Sequence, residues 1–106
     1  MNVPPLEFAP TASRLDVRLS GEVRIEHVAE LCARLRELCA HAAPVRIDWS
    51  AAEHLDACVL QLLVTFARGR VAAGLGVEYT PPGPELRRYL ELSGFHAHLG
   101  PAGSAA

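Results

Sequence analysis

The sequence predicts an α/β domain: a four-stranded, mostly parallel or mixed sheet with an N-terminal edge strand and three helices packed on it. Three observations carry this. After two leading strands, strand-like and helix-like segments alternate in the order β-β-α-β-α-β-α, which favours parallel strands joined by right-handed crossovers. Two long segments place apolar residues three and four apart, the helical period. Gly and Pro clusters at 74–76, 81–84 and 94 punctuate the later segments.

Leu6–Phe8, behind Pro4 and Pro5, reads as the edge strand. Ser13–Leu19 alternates Leu15, Val17 and Leu19 with Arg14, Asp16 and Arg18, the period of a half-buried strand, and Ser20–Gly21 is expected to break it. Val28, Leu31, Cys32, Leu35, Leu38 and Cys39 outline the first helix. Glu26 lies near its positive N-terminal end, Glu30 and Arg34 form an i,i+4 pair, and Pro44 is expected to stop it. Val45–Trp49 reads as an interior strand and Ser50–Leu55 as a loop. Asp56 is placed to cap a second helix that runs to about Ala73 and ends at Gly74 and Gly76. Gly76–Thr80 is the fourth strand. Pro84 suits the first position of a last helix, with Leu86, Tyr89 and Leu90 on one face and Gly94 at its end. One domain spans 1–106, with its core at about 14–99 and a frayed tail at 101–106.

Composition narrows the function. Half of the residues are apolar and the formal net charge is -2. That balance favours neither nucleic acid nor an anionic membrane as a partner. All ten basic residues are Arg. No apolar stretch is long enough to insert in a bilayer, and the start of the chain lacks the charged and apolar regions of a signal peptide. The three cysteines, Cys32, Cys39 and Cys58, are too few and too odd in number for a disulfide scaffold. Cys32 and Cys39 lie two helical turns apart, about 10.5 Å, beyond disulfide reach. A reducing cytoplasm is the expected location.

The sequence holds no phosphate-cradling glycine motif, and Gly74 and Gly76 end a helix instead of opening one, so no nucleotide cofactor is expected. His96 and His98 could form a ligand pair, but no zinc-type spacing accompanies them; two surface histidines are the simpler reading, and no metal is expected. Cys58 falls in the first turn of the second helix, near His54 and Asp56. A thiol-dependent enzyme or redox sensor is one reading of it; a small apolar residue packing at a helix start is the other. On the second helix, Leu60, Leu63, Val64, Ala67 and Val71 supply a core stripe, leaving Leu62, Val59 and Phe66 as surplus. Either the helix is buried nearly all round, or a partly exposed apolar patch rimmed by Gln61, Thr65 and Arg68 docks a protein.

Leu19-Ser20-Gly21-Glu22, the long first helix, Val45-Arg46-Ile47-Asp48-Trp49-Ser50, Leu55-Asp56-Ala57-Cys58-Val59-Leu60-Gln61-Leu62-Leu63 and the closing Leu90-Glu91-Leu92-Ser93-Gly94-Phe95 together resemble the STAS domain family, over residues 14–99. The resemblance implies a four-stranded sheet with helices on it and a non-enzymatic role in partner switching. It implies that the segment after Asp56 bears a Ser or Thr that a partner kinase phosphorylates, placing about −1.5 to −2 charges at the docking helix. The unphosphorylated form then binds the kinase-type anti-sigma factor and frees the sigma factor. Here the phosphoacceptor-equivalent position is Cys58, preceded by Ala57, so the usual Ser/Thr switch is missing. Asp56 carries over as the turn and cap residue. The implied protein-binding residues are Asp56, Ala57, Cys58, Val59, Gln61, Leu62 and Thr65. Leu60-Gln61-Leu62-Leu63 is most similar to chemotaxis-associated members, which widens the partners to chemotaxis or two-component proteins. Small STAS subunits of lipid-transporting ABC complexes are also similar. An exposed edge at Leu6–Phe8 could pair two chains into a homodimer.

Overall fold

Alternation of apolar and polar residues lays down the sheet. The computed structural model describes residues 4–10, 14–39 and 41–94. β1 (Leu6–Pro10) runs antiparallel to β2 (Leu15–Val23), pairing Leu6 with Leu19 and Phe8 with Val17. β3 (Val45–Leu55) lies parallel to β2, and β4 (Val77–Tyr79) parallel to β3, giving the strand order β1-β2-β3-β4. The edge strand, the interior third strand and the mixed sheet are as the sequence implies. The helices are α1 (Val28–Leu38), entered through a 3₁₀ turn at Ile25–His27, α2 (Ala57–Ala72) and α3 (Pro84–Ser93). Pro84 opens α3, and Gly94, at φ 78°, ends it, its amide donating to the carbonyl of Leu90. The tail 101–106, His96, His98 and the last part of the 14–99 core lie outside the described residues.

One face of the sheet is the floor of the core. Val17, Leu19, Val45, Ile47, Val77 and Tyr79 are buried there against Leu31 and Leu35 of α1, Leu60 and Leu63 of α2, and Leu86 and Leu90 of α3. The other face is polar. Glu7, Arg18 and Asp48 stand side by side across β1, β2 and β3, with charged atoms 3.6 and 3.9 Å apart. Partial burial would raise the Asp48 carboxyl, but hydrogen bonds from Ser50 and Thr80, with Arg18 nearby, hold it below the ordinary aspartate value.

Two strands run further than their composition suggests. Ser20–Gly21 does not break β2, and 50–55 is not a loop. Register shifts between Arg18 and Ser20, and between Gly21 and Glu22, absorb the irregular residues, with Gly21 in the left-handed region at φ 63°. Pairing then resumes to Val23 opposite Leu55. Burial of Ala52 and Leu55 anchors this second half of β3.

α1 also stops earlier than Pro44 requires. It ends at Leu38, where Arg70 of α2 reaches across. Arg70 is 1% exposed. Its Nη1 donates to the carbonyls of Leu38 and His41 at 3.1 and 2.5 Å, Nη2 to Ala43 at 3.2 Å, and Nε to Gly76 at 3.1 Å. One guanidinium thus ties the Leu38 carbonyl at the end of α1, and two carbonyls of the segment after it, to the turn before β4. Burial lowers its pKa, with Cys39 opposing. α1 and α2 lie close here: a methyl group at Gly69 would sit 2.8 Å from Cys39 Sγ. Arg34, expected to pair with Glu30, lies 4.4 Å over the ring of Phe8.

Trp49 locks β3 to β4 beyond the last ladder pair. Its amide donates to Thr80 Oγ1 at 3.1 Å, its Nε1 to the Thr80 carbonyl at 2.6 Å, and its ring stacks on Tyr79 at 5.1 Å.

Replacing Arg70 with Met removes a four-carbonyl hub, and urea unfolding should show a loss of about 3 kcal/mol or more. Arg70→Lys, with one compact ammonium, should recover only part of it. Burial raises the Tyr79 phenol to about 12. The unfolded chain ionises this group near pH 10 and the folded chain does not, so its contribution is complete below pH 10 and lost as pH rises towards 12. Tyr79→Phe should flatten that alkaline decline in a chemical-unfolding series.

Candidate functional site

Parallel pairing brings the carboxyl ends of β2 and β3 out at the same end of the sheet, so the segments leading into α1 and α2 start side by side. Asp56 joins them. Its backbone amide donates to the carbonyl of Val23 at 3.0 Å, and its Oδ2 accepts from the amide of Ile25 at 2.9 Å. Its Oδ1 lies 2.8 Å from Nε2 of His54, whose ring leans on Tyr89 of α3 at 5.8 Å. The hydrogen bond with His54, then that from Ile25, with Arg24 nearby, hold the Asp56 carboxyl below its ordinary value.

This corrects the expected role of Asp56 as a helix cap. It occupies the N-cap position of α2 in extended backbone, and its carbonyl accepts from the amides of Val59 and Leu60. Its carboxylate, however, makes no capping bond to α2, because it reaches across to Ile25. On the other side of the joint, His27 Nδ1 accepts from the amide of Arg24, and the Arg24 guanidinium pairs with Glu22. Ile25, held between these contacts, is 71% exposed.

Along α2, Ala57, Gln61, Thr65 and Arg68 form an exposed line, with Cys58 and Leu62 half-buried beside it. The Thr65 hydroxyl donates back to the Gln61 carbonyl at 3.0 Å. Val59, expected among the protein-binding residues, is instead fully buried in the core, out of a partner's reach, and Phe66 is buried too. Val71, read as a core residue, is 54% exposed. α2 packs against both the sheet and α1, which covers Val59 and Phe66. The surplus apolar surface narrows to Cys58 and Leu62.

All three cysteines are free. The His54 Nε2 is directed at Asp56, and among the described residues no hydrogen bond joins it to Cys58. Among those residues no group of three His, Cys, Asp or Glu side chains could hold a metal ion, and no helix is long and apolar enough to cross a membrane.

Sequence reasoning missed Ile25. Alternation with Val23 would place Ile25 on the buried face, whereas β2 ends at Val23 and Ile25 opens the 3₁₀ turn with its side chain exposed.

A mixed four-stranded sheet, with two parallel crossovers and the start of α2 displayed at its edge, defines a fold class. The family model described as "Mlab, STAS domain" matches residues 7–101, and the chain belongs to the STAS family. Solved structures with this fold include an anti-sigma factor antagonist from Mycobacterium paratuberculosis. It is 23% identical, with 92% of this chain and 86% of that one covered and a TM-score of 0.72. The Bacillus cell fate determinant SpoIIAA in its phosphorylated form is 18% identical, with 87% and 86% covered and a TM-score of 0.69. The anti-sigma factor antagonist SpoIIAA in its unphosphorylated form is 17% identical, with 82% of each chain covered and a TM-score of 0.67. No curated protein sequence matches the chain.

Because the Asp56 carboxyl is held below its ordinary value, its tether to Ile25 should be present at neutral pH and lost only as pH falls through that lowered value. The Ile25 amide resonance should titrate with a midpoint below about 3.9, the value of a free aspartate. In Asp56→Ala that titration should vanish, and Ile25 amide exchange at neutral pH should speed up by roughly tenfold or more.

Proposed function

We propose that this chain is a non-enzymatic STAS signalling module of the anti-sigma factor antagonist kind, acting in the cytoplasm as a single domain. It docks through the Asp56 turn and the following helix onto a kinase-type anti-sigma factor; a chemotaxis or two-component protein is the other partner of that class. The observation that carries this reading is the start of α2. There Ala57, Gln61 and Thr65 are exposed and Cys58 and Leu62 are half-buried, beside an Asp56 fixed by two hydrogen bonds.

Cys58 stands at the phosphoacceptor-equivalent position, with Ala57 before it, so no hydroxyl is available in that turn. Docking is therefore not gated by Ser/Thr phosphorylation. A second reading shares the same surface: a small cytoplasmic STAS subunit of an ABC-type lipid transporter, which needs no phosphate switch. Any homodimer would form along β1, an edge that Pro5 and Pro10 at its ends keep short. The thiol-dependent alternative is disfavoured by the engagement of His54 with Asp56 and Tyr89.

Leu62→Asp and Cys58→Glu should each weaken binding of a purified kinase-type anti-sigma factor by roughly tenfold or more in calorimetry, with the far-ultraviolet dichroism unchanged. Unchanged affinity in both would rule this surface out. Incubated with that kinase and ATP, the natural chain should take up no phosphate, whereas Cys58→Ser should. Co-purification of the natural chain with a transporter ATPase would favour the second reading.

A further inference from the structure

Three large apolar side chains are exposed among the described residues: Ile25 at 71%, Val71 at 54% and Leu92 at 79%. Single exposed apolar residues are ordinary. Ile25 differs from the other two in place and in restraint. It lies at the edge where α2 begins, while Val71 and Leu92 lie near the C-terminal ends of α2 and α3. Its backbone is held on both sides. Its amide donates to Asp56 Oδ2 at 2.9 Å, the preceding Arg24 amide donates to His27 Nδ1 at 2.9 Å, and the Val23 carbonyl accepts from the Asp56 amide at 3.0 Å. Asp56 is in turn fixed by His54, and His54 rests on Tyr89.

An exposed apolar side chain on a backbone fixed in advance suits an interface anchor, because little freedom remains to be lost on binding. We infer that Ile25 is an apolar anchor of the docking end, and that Asp56 is its positioning residue. This rests on the docking function proposed above and adds a second contact segment to it. The occupant is a pocket on a protein partner. Charge decides that over a lipid surface: Glu22, Glu26 and Asp56 all act on Arg24, the residue before Ile25, so three carboxylates meet one guanidinium there, an acidic setting that an anionic bilayer would repel. A mixed rim around one apolar residue suits a protein pocket.

The test uses the full chain and a purified kinase-type anti-sigma factor, with Leu62→Asp as the reference for the docking surface and Leu92→Ser as the control for an exposed apolar residue elsewhere. Ile25→Ser should weaken binding by roughly tenfold or more and Leu92→Ser should leave it unchanged. Asp56→Ala should weaken binding and speed exchange of the residue 25 amide. Asp56→Asn keeps a carbonyl oxygen for that amide and should slow its exchange again and weaken binding less than Asp56→Ala. If Ile25→Ser binds as the natural chain does while Leu62→Asp does not, the anchor is wrong and the docking function stands. If Asp56→Asn is as weak as Asp56→Ala, Asp56 touches the partner itself and is no positioning residue. If the natural chain fails to bind, or Leu62→Asp changes nothing, the docking function fails and takes the anchor with it. Ile25-dependent binding to phosphatidylglycerol vesicles would overturn the choice of a protein occupant.

Discussion

The parallel pairing of β2 with β3, continued to Val23 opposite Leu55, is the constraint from which the rest of the molecule follows. Adjacent parallel strands point their carboxyl ends the same way. The segments entering α1 and α2 therefore emerge together, although Ile25 and Asp56 are 31 positions apart in the chain. Had β2 stopped at Gly21, or β3 at Trp49, the two starts would have no common register. The bulges after Arg18 and Gly21 preserve this pairing through residues that would otherwise end it.

Opposite ends of the helical layer are fastened by different chemistry. At the far end, Arg70 is buried and satisfies four carbonyls from three segments, a contact that serves stability. At the end where α1 and α2 begin, Asp56 is about one-third exposed and makes a short, open set of bonds to Ile25 and His54. A buried hub and an accessible joint suit a domain that keeps its core rigid and presents one edge to a partner. The Trp49–Thr80 contacts and the stacked Tyr79 hold β4 against β3, on the side where α3 brings Tyr89 to His54.

Much of the fold was legible because it rests on local patterns. The alternation around Val17 and Ile47, the helical spacing of Leu31, Leu35 and Leu38, and the Pro84 and Gly94 boundaries of α3 each act within a few residues. What was not legible depends on distant partners. Gly21 reads as a strand breaker unless the bulge opposite β3 is known. Nothing local marks Arg70 as buried, since the carbonyls of Leu38, His41 and Ala43 that surround it come from a distant segment. Asp56 has the residue type and position of a helix cap, and only the approach of Ile25 diverts its carboxylate. Val59 and Phe66 looked surplus to one stripe because the second wall, α1, is invisible in the sequence of α2.

The docking edge is the central claim, and backbone resonances report on it without any substitution. Titrating the isotope-labelled chain with a purified kinase-type anti-sigma factor should shift or broaden the amides of Ile25, Ala57, Cys58, Gln61, Leu62 and Thr65 first and most strongly. Changes concentrated instead on the open polar face, at Glu7, Arg18, Asp48 and Glu78, would contradict it.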